Sequence, residues 1–218
     1  MSVPINEKFE TFLSLLNNPK LLSALISFNH SGYLVDTGWI NSFTKGKPVD
    51  NNNKPVPWLS LPAIEFIKTR LNSSFTIFEY GAGNSTLFFA EFVKQVISVE
   101  HNEEWVAKLK KITPENSEII AHPLDDEYPL LASKQKMKFD IILVDAEKRV
   151  ECVLNSTDAL SEKGVLILDD TERPEYKDAF DFMKSRGFKE LSFWGISPGY
   201  LYHKATTIFY KNMNCFDI

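Results

Sequence analysis

From residue 61 onward the sequence alternates between two rhythms, and no other feature constrains the fold as tightly. Short apolar runs, FTIFEY (75–80), QVISVE (95–100), SEIIAHP (117–123), FDIILVDA (139–146) and GVLILDD (164–170), take turns with longer amphipathic segments, LPAIEFIKTRL, NSTLFFAEFVK, EEWVAKLKKI, RVECVLNSTDALS and PEYKDAFDFMKSRG. A continuous apolar run is the pattern of a strand covered on both faces, and apolar residues every three or four positions mark one face of a helix. Strands alternating with helices make βαβ units, whose strands lie parallel because each helix carries the chain back. KELSFWG (189–195) and TTIFYK (206–211) close the series as two strands with no helix between them. The expected fold is α/β: a Rossmann-like, doubly wound, mostly parallel sheet of seven strands over residues 61–218.

Residues 1–60 read differently, as a small helical and loop appendage. EKFETFLSLLNNPKLLSALISF (7–28) has helical spacing broken by NNP, which predicts two short helices. SGYLVDTGWINSFTKGKPVDNNNKPVPW (31–58) mixes Gly, Pro and Asn with Tyr33, Trp39, Phe43 and Trp58, and predicts an ordered loop anchored by those rings. A helix starting at residue 61 and running back along the sheet places Trp58 and Ser60 near its ligand-binding end. Rings there either close over a ligand or only pack the appendage onto the core.

Composition excludes several function classes. The net charge of -5 and the lack of any basic cluster beyond KLKK (108–111), on a predicted helix face, argue against a nucleic-acid partner. The two cysteines, Cys152 and Cys215, form no CxxC and no metal-ligand spacing, and Cys152 falls on the apolar side of its helix as a buried thiol. The N-terminus has no basic start followed by an apolar run, and no stretch of 18 apolar residues occurs, so the expectation is a cytoplasmic protein with no membrane partner.

In a doubly wound sheet a ligand binds beyond the carboxyl ends of the strands, and here the first strand-to-helix turn is EYGAGNST (79–86). Gly81 and Gly83 let the backbone approach a ligand closely, and Asn84, Ser85 and Thr86 open the next helix with side chains able to cap it. A dinucleotide turn of the GxGxxG type wants a third glycine where Thr86 stands and no carboxylate beside the pyrophosphate, yet Glu79 directly precedes the turn. That carboxylate suits a ligand with a cationic end. Glu100 ends the second strand, where a carboxylate accepts both ribose hydroxyls in a fork, and His101 follows at the adenine edge. S-adenosylmethionine, with its ammonium and sulfonium, answers all of these features.

With ExGxG after strand one, an acidic residue closing strand two, Asp145 closing strand four and a final strand pair, the chain resembles the class I S-adenosylmethionine-dependent methyltransferases from about residue 61 to 211. It departs at Ser85, where many members carry another glycine. Asp125 and Asp126 follow the third strand, where the class that these motifs resemble often holds the adenine amino group. GYLVDTGW, PWLSLPAIEFI, DDTERPEY and TTIFYK look like an uncharacterised bacterial methyltransferase-like group often likened to sugar and macrolide methyltransferases. The resemblance implies methyl transfer, with an oxygen of a small polar or sugar-like acceptor as the preferred target. The alternatives are a noncatalytic cofactor- or partner-binding domain and, less well supported beside Glu79, a nicotinamide oxidoreductase.

VDAEK and LILDDT form a second constellation. Asp145, Asp169 and Asp170 all end strands, so their carboxylates face the same end of the sheet and repel one another unless a cation or a proton intervenes. The pattern is similar to the divalent-metal-dependent catechol and caffeoyl-coenzyme A O-methyltransferases, with Asp145 and Lys148 matching their DxxK, and Asp169 and Asp170 their DN. The resemblance implies Mg²⁺ or another divalent ion on Asp145, Asp169 and Asp170, Lys148 as general base, and Asp145 and Asp170 beside it in catalysis. Asp170 departs from the family's asparagine.

Overall fold

A computed structural model describes residues 4–218 of the chain. Its seven strands are β1 (Thr76–Tyr80), β2 (Gln95–Glu100), β3 (Ser117–Ala121), β4 (Phe139–Val144), β5 (Leu160–Asp169), β6 (Lys189–Ser197) and β7 (Tyr200–Tyr210). They form one sheet in the order β3-β2-β1-β4-β5-β7-β6, parallel from β1 to β5, with β7 antiparallel to both of its neighbours. The chain reverses its direction of travel between β1 and β4, which opens a crevice at the carboxyl ends of those strands. β6 and β7 are longer than their apolar runs suggest. Backbone pairing between the two extends them through exposed residues such as Tyr200 and Tyr202, which carry no strand-like apolar pattern.

Ten helices accompany the sheet among the described residues: α1 (Ile5–Leu16), α2 (Pro19–Ser27), α3 (Tyr33–Asp36), α4 (Trp39–Lys45), α5 (Leu61–Lys68), α6 (Asn84–Ala90), α7 (Glu103–Leu109), α8 (Leu131–Lys134), α9 (Arg149–Ser156) and α10 (Lys177–Ser185). Alternate strand residues feed two cores. Ile142, Val144, Leu166 and Leu168 join a cluster with Cys152 and Val153 of α9 and Met183 of α10. Ile141, Leu143, Val165 and Ile167 face the other way, onto Ile64 and Ile67 of α5 and Phe88 of α6. Burial of both faces is what the unbroken apolar runs require.

The anchored loop read at 31–58 contains α3, α4 and a turn closed by a bridge between Val49 and Pro55. Of its rings, only Trp39 is buried, whereas Tyr33 and Phe43 are exposed. At Gly38, with φ +77°, a Cβ would lie 2.2 Å from the Asp50 carbonyl carbon, so only glycine fits. Trp39, Val56 and Leu59 belong to the second core, so this stretch is part of the folded body. α1 and α2, in contrast, contain no buried residue.

Candidate functional site

The turn between β1 and α6 borders a cavity of about 310 Å³, lined by Gly81–Ser85, Glu100 and Asp145 together with Pro48, Trp58 and Trp105. Gly81 adopts φ +96°, and a Cβ there would stand 2.5 Å from the Asp145 carbonyl oxygen, so β1 and β4 can close on each other only at a glycine. Gly83 is different. Its backbone is extended, and a Cβ would meet no protein atom within 4 Å, so the protein's own packing does not require a glycine there. Thr86 Oγ1 accepts from the Gly83 N–H at 3.2 Å and donates to Glu79 Oε2 at 2.7 Å, linking the start of α6 to the strand beneath it.

Glu79 is fully buried. Ser98 Oγ also donates to its Oε2, at 2.6 Å, while its Oε1 has no partner. Burial pushes the Glu79 carboxyl up to about 7; Ser98, Thr86 and Ser85 oppose the shift and nearby Asp145 adds to it. An orphaned buried carboxylate oxygen calls for a proton or a cation. Glu100, at the end of β2, accepts from the Asn102 N–H (2.9 Å) and the Ala82 N–H (3.3 Å), which aims its carboxylate across the glycine turn. None of the residues lining the cavity is basic.

Asn84 and Ser85 line the cavity as well, and Asn84 Nδ2 donates to the Pro48 carbonyl. His101 sits outside the lining, with Nδ1 3.1 Å from Glu100 Oε1. Asp125 Oδ1 accepts from the backbone of Glu127 and Tyr128, and Asp126 is fully exposed; neither reaches the cavity. Lys148 turns to the same loop, donating to the Asp125 carbonyl at 2.9 Å, so the structure does not bring it to the aspartates. Pro48 and Trp105 escaped the sequence reading. Trp105 is half-exposed on a helix that otherwise reads as solvated, and its indole donates to the Ala82 carbonyl at 2.8 Å. A tryptophan in EEWVAKL was the available signal. A more open cleft of about 710 Å³ at the opposite end of the sheet, near Lys163, Arg186 and Lys211, is remote from all of these groups.

Asp145, Asp169 and Asp170 do converge, with ligand atoms within 4.8 Å of one another. They do not fit a resident divalent ion, because buried cations already neutralise them. Lys204 Nζ, on β7, lies 2.6 Å from Asp169 Oδ2 and 2.9 Å from Asp170 Oδ1. Arg149 reaches Asp145 Oδ1 at 2.9 Å through Nη2 and Asp170 Oδ2 at 2.5 Å through Nη1, while Arg173 lies 2.7 Å from the same Asp170 oxygen. Burial would raise the Asp170 carboxyl, but Lys204 and Arg149 outweigh it and hold the group below its usual range. Burial likewise would lower the Lys204 ammonium, and the charges of Asp169 and Asp145 hold it above its usual range. The three carboxylates meet as the sequence predicts, and with these cations already paired to them the structure gives a divalent ion no support.

No protein-family model and no curated protein matches the chain. Solved structures do. A precorrin-6y C5,15-methyltransferase from Geobacter metallireducens superposes with a TM-score of 0.53 at 15% identity, covering 69% of this chain and 87% of that one. An rRNA methylase from Streptococcus thermophilus gives 0.51 at 17% identity over 67% and 93% of the two chains. A putative methyltransferase from Streptococcus mutans in complex with SAH gives 0.51 at 14% identity over 67% and 94%. With the seven-stranded order described above, the chain has the fold of the class I S-adenosylmethionine-dependent methyltransferases.

Proposed function

We propose that this protein is an S-adenosylmethionine-dependent methyltransferase that methylates an oxygen of a small polar or sugar-like acceptor. One observation carries the cofactor: the cavity at the switch point presents the carboxylates of Glu100 and Asp145 and no basic side chain, while the fully buried Glu79, outside the lining and just ahead of the glycine turn, keeps Oε1 without a partner. Such a lining repels a pyrophosphate and attracts an ammonium and a sulfonium. A Streptococcus mutans neighbour of the same fold, in complex with SAH, agrees with that reading.

In this reading Glu79 meets the cationic amino-acid end, Glu100 accepts the ribose hydroxyls and Gly83 leaves room for the ligand. When bound, the cofactor supplies an electrophilic methyl group on sulfur. The chain's part is to hold an acceptor oxygen in line behind that methyl and to exclude water. Asp145, the only one of the three strand-end aspartates that lines the cavity, receives the acceptor hydroxyl's hydrogen bond. Beside the cavity a row of partly exposed rings, Trp58–Tyr200 and Tyr200–Tyr202, each pair 5.3 Å apart, offers faces for a ring-bearing acceptor. Neighbours of this fold carry names that point to a precorrin and to rRNA, so the acceptor rests on these local features. The acidic cavity and rings favour a neutral hydroxylated acceptor over a polyanion.

Calorimetric titration with S-adenosylhomocysteine tests the cofactor. We expect one site per chain, weakened roughly ten- to a hundredfold in Glu100→Ala, the cost of hydrogen bonds to a charged group. Binding of NAD in its place overturns the assignment. Mass spectrometry of neutral glycosides and small alcohols incubated with S-adenosylmethionine then tests the acceptor. A gain of one methyl on nitrogen compounds only, or on none, rejects the oxygen acceptor.

A further inference from the structure

We propose that Lys204 is a built-in cation that takes the place of a divalent ion at the carboxyl end of β5, and that it sets the Trp58 wall of the cavity. Lys204 is 5% exposed, and besides its two aspartates its Nζ donates to the Trp58 carbonyl at 2.9 Å. The next link runs parallel to it. Thr206, paired across the sheet with Asp169, donates to Asp169 Oδ1 at 2.7 Å and accepts from the Ser60 N–H at 3.0 Å. Both ends of the tripeptide Trp58–Leu59–Ser60 are thus tied to the aspartate cluster, and the Trp58 indole is held by the Pro198 carbonyl at 2.8 Å.

Charge explains why an ion has no place here. Asp145, Asp169 and Asp170 face the buried Lys204, the mostly buried Arg149 and the half-exposed Arg173, which Glu172 also approaches at 4.0 Å, and Asp170 holds its position at φ +59°, a conformation an L residue adopts only when its surroundings impose it. A divalent ion would have to expel a buried ammonium from two carboxylates and a carbonyl, stranding either that ammonium or the cluster's surplus charge. Lys204 is a positioning residue. It neutralises as an ion would, and it also reaches the Trp58 backbone on a covalently attached stem.

The experiment has two arms, of which only the second rests on the proposed methyl transfer. In the first, Mn²⁺ is titrated into the wild type and into Lys204→Ala, with electron paramagnetic resonance reading the free ion and thermal melting reading stability. We expect no ion bound to this cluster in the wild type, and in Lys204→Ala one bound Mn²⁺ per chain that raises the melting temperature. A wild-type Mn²⁺ site that disappears in Asp169→Asn overturns the proposal. Should Lys204→Ala not fold, the charge-neutral pair Asp169→Asn/Lys204→Met takes its place, and there a loosened Trp58, read as a shift in tryptophan fluorescence that is absent in a Trp58→Phe background, is expected without Mn²⁺ binding. An unshifted spectrum overturns the positioning role. In the second arm, S-adenosylhomocysteine should bind the folded Lys204 variant roughly two- to thirtyfold more weakly, the range seen when a linking network is cut. Undiminished affinity rejects the link to the cavity. Failure of the wild type itself to bind rejects the methyltransferase reading, and the Mn²⁺ arm still decides the fate of the built-in cation.

Discussion

Two glycines and one glutamate carry most of the testable chemistry at the residue scale. Gly81→Ala forces an L side chain into φ +96° with its Cβ 2.5 Å from a backbone oxygen, and should cost on the order of 1–3 kcal/mol in denaturant unfolding. Gly83→Ala has no such conflict. Its stability should stay within about 0.5 kcal/mol of the wild type, while S-adenosylhomocysteine affinity falls because the new methyl occupies ligand space. Glu79 gives a pH dependence whose sign follows from its raised pKa. Between the ordinary carboxylate value of 4.5 and about 7 the folded chain holds a proton that the unfolded chain has released, so stability declines as pH rises through that window and is level above it. Glu79→Gln should shrink the decline, leaving the part of the same sign that comes from Asp169, whose carboxyl burial also pushes up to about 7, and should be more stable than the wild type at pH 8 by on the order of 1–3 kcal/mol, while losing cofactor affinity. A cationic ligand over Glu79 expels that proton, so wild-type affinity should strengthen from pH 6 to pH 8 with proton release in calorimetry. A flat pH profile would show that no cation meets this carboxylate.

At the element scale the β6–β7 hairpin acts as a clasp. Its tip residues Pro198 and Tyr200 receive the indole N–H groups of Trp58 and Trp39 through their carbonyls, at 2.8 and 2.9 Å, so a strand pair at the far end of the chain is fastened to the segment that precedes the sheet. Trp39→Phe keeps most of the ring and removes the donor. Stability should fall by about 1 kcal/mol, the usual worth of one such bond, and hydrogen exchange should quicken at residues 199–202 before it quickens in β1 or β4. Uniform exchange across the sheet would deny the hairpin this local role.

Across the whole molecule the N-terminal third divides by burial. α1 and α2 leave Phe9, Phe12, Leu13, Leu16 and Leu25 exposed and bury nothing, whereas Trp39, Val49 and Val56 are at most 7% exposed. From this contrast in burial we propose that the appendage ends before Trp39, inside the 1–60 expected from the sequence. Deleting residues 1–30 should leave the melting temperature and S-adenosylhomocysteine affinity nearly unchanged and should raise solubility, since an exposed apolar row is removed. Deleting residues 1–57 takes three core side chains worth roughly 1.5–3 kcal/mol each, a sum close to a typical domain's total stability, and should unfold the protein. A folded 58–218 fragment would restore the boundary at residue 60.

What the sequence determined by itself was local. Unbroken apolar runs and three-to-four spacing depend on neighbours a few positions apart, so the strands, most helices and the α/β class were legible, as were the EYGAGNST turn and the acidic ends of β2, β4 and β5. The partners of those residues were not. Lys204 meets Asp169 and Asp170 only because β7 inserts antiparallel between β5 and β6, in a register that sets Thr206 opposite Asp169 and so carries Lys204, two positions away on the same face, to the cluster. Read along the chain, three strand-end aspartates ask for a metal. In the folded molecule a lysine and two arginines, drawn from β7, α9 and the loop after β5, answer first. Trp105 joins the cavity, and Lys148 leaves the aspartates, for the same reason: strand order and the direction of a side chain are settled by packing among distant segments, which no local period encodes.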